Sequence, residues 1–406
     1  MLIYRQEKYN KCEDFGKINI QRNYILSIAV HKPDDEQGMV SIMKVKVDTL
    51  TEGVRLVNDV MGKTTEPIVP RNTIVTKKII EVLQAFSIEE VDVEQVSPVD
   101  SYRKEDSLKP SERISPDSEI ESPRMENEFL NDYNEAVKLF KKEFKKWQAG
   151  INVEIYTIRN SIIELFEQFS KNAQQLLFLH NYGKKEEYFF HHAVATALIS
   201  GAVARNMHLR KSEINQVILA TILSNCGMAK LDPKLLSKEK WTDVDKKEYL
   251  KHPGMSYKMV EHIPSLSTAA KLAILQHEER EDGTGFPFGE QSKKIHPFAK
   301  IIACSDLYYQ IVWNPFSFEK KTSFAAIDQL EYESFGKYDI HTVKALIECI
   351  AKYAIELDVQ LSNGITGKIV YVDSNHPSRP VIKLEGSGQI ISLMDHPETT
   401  IKAVFM

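Results

Sequence analysis

Apolar and polar positions change period several times along this chain, and each change marks a new element. From Met39 onward Met43, Val45 and Val47 alternate with Lys44, Lys46 and Asp48, the period of a half-buried strand. Between Thr73 and Phe86 the spacing becomes helical, with Thr76 placed to cap the helix, and Ile88 to Val93 returns to alternation. Residues 40–94 therefore read as a small α/β domain, a packing or docking module without a catalytic constellation. Residues 1–39 show little periodicity and are expected to be irregular. The stretch 95–125 is rich in Ser, Pro and charge, with almost nothing large and apolar to bury, and is expected to be a disordered linker.

Two long helical patterns occupy residues 126–183. Along the second, Ile155, Ile158, Ile162, Leu165, Phe166, Phe169, Leu176 and Leu177 form an apolar stripe. Such a stripe covers a neighbouring domain or pairs with a second copy, which makes a homodimer an expectation. Phe189 to Ala204 is apolar nearly all round and predicts a buried helix with a histidine at its start. Lys300 to Asp306 alternates small and apolar residues and ends on a carboxylate, which needs a cation or donors there. After a last helix through Ile355, turn signals at Asn363-Gly364, Pro377 to Pro380 and Gly386 to Gly388 separate short apolar runs, so residues 357–406 read as a β-rich tail. Arg379, between two prolines, reads as a solvated turn residue, with a phosphate contact as the alternative.

Composition narrows the class. At 406 residues the chain holds more than one domain. With 52 basic against 57 acidic residues, no basic field invites duplex nucleic acid or an anionic membrane. Cys12, Cys226, Cys304 and Cys349 are scattered without CxxC spacing, no apolar run has the length of a membrane span, and no secretory leader stands at the start. A reduced cytoplasmic protein is the expectation.

The richest stretch chemically runs from Gln276 to Pro287. His277, Glu278 and Glu279 lead into Arg280, Asp282, Gly283, Gly285, Phe286 and Pro287, a composition suited to a rigid ligand-binding loop at the rim of a site. Taken with His192, with His252-Pro253-Gly254 and with Asp306, in this order, the stretch resembles the signature of the HD-GYP family, bacterial metal-dependent phosphodiesterases acting on cyclic di-GMP. The likeness covers residues 185–350 closely and 40–94 loosely. It implies a mainly α fold: an all-helical HD-GYP-like domain over 184–356, a small N-terminal α/β domain and a small β-rich C-terminal tail. It also implies metal ligation by His192, rather than His191, and by Asp306 at one ion, and by His252 and His277 at a second. Read without the resemblance, a histidine at the start of a buried helix is a satisfied core residue.

The chain departs from that pattern where the chemistry is done. Ser224 and Asn225 stand where the family has its His-Asp dyad, Met228 where it has Lys, Glu278 where it has a second His, and Phe286 where it has Tyr. A carboxamide is neutral and a weak ligand, whereas the family's bridging carboxylate offsets two divalent charges. Glu278 still offers a carboxylate as a substitute ligand. Ile311 to Phe318, where family members carry phosphate-holding arginines, has none. These substitutions predict no confident catalytic residue and no cofactor, or at most one iron, manganese or zinc ion held across the remnants. The reading is a catalytically inactive module of cyclic di-GMP signalling that binds that or another nucleotide, or a protein partner. A reduced one-metal phosphodiesterase and a purely structural dimeric partner are the alternatives.

Overall fold

The computed structural model describes residues 42–61, 67–86, 88–94, 122–237, 241–314 and 317–405. Residues 42–94 belong to one compact unit and 122–405 to another, and each is described by itself. The segment 1–39 and the linker up to residue 121 lie outside the described residues.

In the first unit β1 (Ile42–Lys46) pairs antiparallel with β4 (Glu90–Glu94), with Val45 opposite Val91. A second ribbon joins β2 (Val60–Met61) to β3 (Pro67–Val69). Before β4 lies α1 (Lys77–Ala85), whose first turn is capped as its sequence predicts: the Thr76 hydroxyl accepts from the Ile79 amide. Alternation turns Val91 and Val93 inward to a core that also buries Val47, Leu56, Val75 and Leu83.

The second unit begins with α2 (Ser122–Gln148) and α3 (Ile155–Lys171), an antiparallel-type pair joined by a short turn at Gly150. At Asn172 the backbone leaves helical space, so the long apolar pattern breaks into short turns over Ala173–Leu177 and Leu179–Asn181 and does not continue as helix to Leu177. The apolar face of α2, carrying Phe129, Tyr133, Phe140, Phe144 and Trp147, is buried within this same unit. The stripe of α3, with Ile158, Ile162, Leu165, Phe166 and Phe169, is likewise buried within this unit.

At the centre stands α4 (Tyr188–Asn206), buried from His191 to Ala204 because its sequence has no polar face to give to solvent. Against it pack α2, α3, α5 (Lys211–Leu223), α10 (Pro297–Val312) and α12 (Ile340–Ala354). Around these lie α6 (Pro233–Ser237), α7 (Asp243–Tyr249), α8 (His252–Val260), α9 (Thr268–Gln276) and α11 (Ser323–Ser334). Helix α10 does not end at the aspartate; Asp306 sits inside it, one turn before Gln310.

The tail forms a five-stranded antiparallel sheet. A meander of β5 (Asp358–Leu361), β6 (Thr366–Tyr371), β7 (Val381–Leu384) and β8 (Ile390–Ser392) is completed by β9 (Ile401–Phe405), which returns to the free edge of β5. Arg379 is half-buried in its turn, where its guanidinium donates to the carbonyls of Pro397 and Thr399 and ties the β6–β7 turn to the strand leading into β9. Among the described residues no helix is long and apolar enough to cross a membrane, and Cys226, Cys304 and Cys349 are buried free thiols.

Candidate functional site

Helix ends converge at one place in the second unit. His252 opens α8 and donates Nδ1–H to the carbonyl of Tyr249, the last residue of α7, at 2.9 Å. His277 follows α9 and donates Nδ1–H to the Ile274 carbonyl at 2.8 Å, satisfying one of the orphan acceptors a helix leaves at its C-terminus. A carbonyl only accepts, so both rings carry their proton on Nδ1. Burial pushes the His252 pKa down to about 3, helped by the neighbouring His277, and lowers His277 for the same first reason. Both rings are therefore neutral near pH 7, with Nε2 left as a lone pair. Those two Nε2 atoms face each other across 3.2 Å. Two bare acceptors at that distance repel unless a cation lies between them. Glu278 completes a cluster with the two rings, its ligand atoms within 4.8 Å of theirs.

A second pair lies on α4 and α10. His192 Nε2 is 2.9 Å from Asp306 Oδ1, yet the contact is not aligned as a hydrogen bond, so the nitrogen is a buried orphan. The other carboxylate oxygen accepts from the Gln310 amide at 2.6 Å. His191 turns the opposite way and stacks on Tyr133, which separates a core histidine from a site histidine within one dipeptide. Asn225, just beyond α5, has its own buried orphan, the carboxamide Oδ1. Its neighbour Ser224 donates to the Thr221 carbonyl at 2.8 Å and so is spent on its own helix. Met228 is buried and presents a thioether. His192, Asn225, Met228, Gln310 and Tyr249 share one cavity of about 360 Å³, walled further by Phe144, Phe189, Trp241 and residues of α2.

The glycine-rich loop follows His277 and Glu278 directly. Glu279, 2% exposed, accepts from the amides of Phe288 at 2.7 Å and Glu290 at 2.9 Å and holds the loop from beneath. Gln276 fastens its far end, bonding the Lys294 carbonyl and the His296 amide. Asp282 accepts from the Thr284 amide and hydroxyl, and Gly283 takes φ +75° in the resulting turn. A Cβ on Gly285 would lie 2.4 Å from Glu279 Cα, so only glycine fits. Phe286 packs edge-on against His252 and Tyr249, and Pro287 follows it. Arg280 faces inward: it bonds Glu278 at 2.9 Å and the carbonyls of His277 and Glu279, and lies over the Tyr338 ring. The guanidinium braces the loop and the Glu278 carboxylate.

The structure thus brings His192 to Asp306, and His252 to His277 and Glu278. Sequence reasoning missed Tyr249, Trp241, Gln310 and the α2 residues at the cavity. Gln310 had a signal, since it stands one helical turn after Asp306; the others reach the site only through packing between elements.

Residues 161–341 match the family model for the HD domain. The chain is 28% identical over 196 residues to the cyclic di-GMP phosphodiesterase PdeB of Borreliella burgdorferi, covering 48% of this chain and 52% of that one. A cyclic di-GMP phosphodiesterase of Pseudomonas aeruginosa is 25% identical over 242 residues, covering 59% and 58%. The chain therefore spans somewhat over half the length of these relatives. A solved HD-GYP-type protein of Bdellovibrio bacteriovorus aligns at TM-score 0.45 and 15% identity, over 75% of this chain and 98% of that one.

HD domains of this kind are typically metal-dependent, and the two halves of the site fit an ion unequally. His252 and His277 fit a divalent ion: tautomers set by main-chain carbonyls aim both lone pairs at one point, with a carboxylate beside them. The other half offers one imidazole, one carboxylate already engaged by Gln310, and a neutral carboxamide.

Proposed function

We propose that this chain binds a guanine nucleotide of cyclic di-GMP signalling at the cavity beside His192, holds one divalent ion with His252, His277 and Glu278, and does not hydrolyse cyclic di-GMP. The observation that carries the reading is Asn225. Its orphaned carboxamide stands where the family pattern has an anionic bridging carboxylate, and Ser224, where a histidine belongs, is bonded back to its own helix. A neutral oxygen does not hold two divalent charges together, and a hydroxide activated between two ions requires both. When bound, a single ion supplies a Lewis acid and a charge that orders the two imidazoles. Asn225 and Gln310 offer amides to a ligand, and the loop braced by Glu279 and Arg280 keeps the rim fixed.

Elemental analysis and a turnover assay test this together. The native protein is expected to carry about one metal per chain, to lose it in His252→Ala, and to leave cyclic di-GMP intact. Ser224→His with Asn225→Asp is expected to raise the metal content toward two. Turnover by the native protein, abolished in His277→Ala, sinks the inactive reading. It would favour the second one, a one-metal phosphodiesterase, which the retained pairing of His192 with Asp306 supports.

A further inference from the structure

Helix α2 carries lysines at 138, 141, 142, 145 and 146, and those at 141 and 145 are spaced i,i+4, so they share a face. That face is the one that meets the cavity: Lys141 and Lys145 line it together with His192, Asn225 and Gln310. We infer that these two lysines are the phosphate clamp of the site, and that its ligand is a nucleotide whose base lies on the aromatic wall while its phosphate faces α2. The inference rests on the nucleotide-binding reading above and deepens it, because the Ile311 to Phe318 segment has no arginine to hold a phosphate.

Three features of the cavity converge on this. First, the cavity is amphipathic in a way that suits a nucleotide. Phe144, Phe189, Trp241 and Tyr249 give flat apolar surface for a purine, and the two ammonium groups stand at the α2 side. Second, the charge is available. Lys138 and Lys146 are paired with Glu135 and Glu143 on their own helix, whereas Lys145 is exposed and pairs with no carboxylate among the described residues. Third, Lys141 is held by Glu187, just before α4, and lies near the Phe190 ring, which fixes its ammonium at the cavity wall. Glu187 then competes with an incoming phosphate for the same cation, so the acid limits affinity for anions. A lysine wall on the helix that precedes the HD domain replaces, in this chain, the guanidinium clamp that the later segment lacks.

Equilibrium binding by the full chain is the test, with cyclic di-GMP, 5′-GMP and phosphate-free guanosine as probes, at low and high sodium chloride. Native protein is expected to bind both phosphorylated probes, guanosine far more weakly, and to lose affinity as salt rises. Lys141→Gln and Lys145→Gln should each weaken the phosphorylated probes by about tenfold, leave guanosine unchanged, and flatten the salt dependence. Glu187→Gln should change affinity in the opposite direction and tighten binding, which no misfolded variant would imitate. If cyclic di-GMP binds equally to native and lysine variants, the clamp is overturned while the nucleotide reading stands. Lysine-dependent binding of 5′-GMP without cyclic di-GMP supports the clamp and removes the cyclic dinucleotide. Binding of no probe overturns both.

Discussion

Glu278 has two duties that conflict. It lies within reach of a cation held by His252 and His277, and its Oε2 balances the guanidinium of Arg280 in a pair whose side chains are only 7% and 12% exposed. Removing the acid leaves Arg280 charged in a poorly solvated place, the costly way to break a buried pair. Glu278→Ala is accordingly expected to lower stability by about 3 kcal/mol, read as a shift in the urea midpoint at unchanged slope; a change under about 0.5 kcal/mol would show that Arg280 is balanced elsewhere. A histidine at 278, the residue of the family pattern, gives up the same ion pair. His192, His252, His277 and Asp306 were singled out in the sequence by their order and the resemblance it carries, since by residue type alone a histidine opening a buried helix reads as core. The role of Arg280 was not: its inward course depends on Tyr338, which lies far along the chain and gives no local signal.

At the scale of elements, the site is built from helix ends held by buried polar residues and by close approach. Glu279 supplies both acceptors that fix the chain from Phe288 to Glu290, so Glu279→Ala strands two amides and is expected to cost about 2–4 kcal/mol while opening the loop to limited proteolysis. Unchanged cleavage there would place the restraint in Gln276 instead. The turn Cys226–Lys230 crosses α8 so closely that a Cβ at Gly227 would meet the His252 carbonyl and the Ser256 amide, each at 2.4 Å. Gly227→Ala must therefore displace the start of α8, and with it His252; the expected result is weaker metal retention and about 1–3 kcal/mol of lost stability, from elemental analysis and denaturation of the same sample. Element type was legible wherever the period was clean, as in β1, α1 and α4. Ends were less so. The apolar run through Leu177 looked like one helix because turns bury leucines as well as helices do, and only the backbone at Asn172 decides between them.

For the helical unit as a whole, one property follows from how much imidazole it buries. His180 and His191 are 4% and 2% exposed, and burial pushes their pKa values down from 6.5 to about 3 and about 4. In the unfolded chain both take up a proton as pH falls through 6.5, whereas in the folded unit they stay neutral until far lower. The unfolded state then binds more protons, so folding stability is full above pH 6.5 and is lost as pH falls below it. Each such histidine contributes a slope of about 1.4 kcal/mol per pH unit in that window, and the loss levels off only near the folded pKa. The metal histidines would add to the slope when no ion is bound, which makes His180 the cleaner probe, since it lies on the turn Leu179–Asn181 and outside the cluster. His180→Gln removes the titrating group. The variant is expected to be less stable than the native chain at pH 7, where the neutral ring packs well, and to close that gap as pH falls toward 4. Urea midpoints at a series of pH values decide it: parallel curves for the two proteins would mean that His180 is already solvated enough to ionise in place, and that the acid sensitivity of the unit comes from the other buried histidines, His191, His252 and His277.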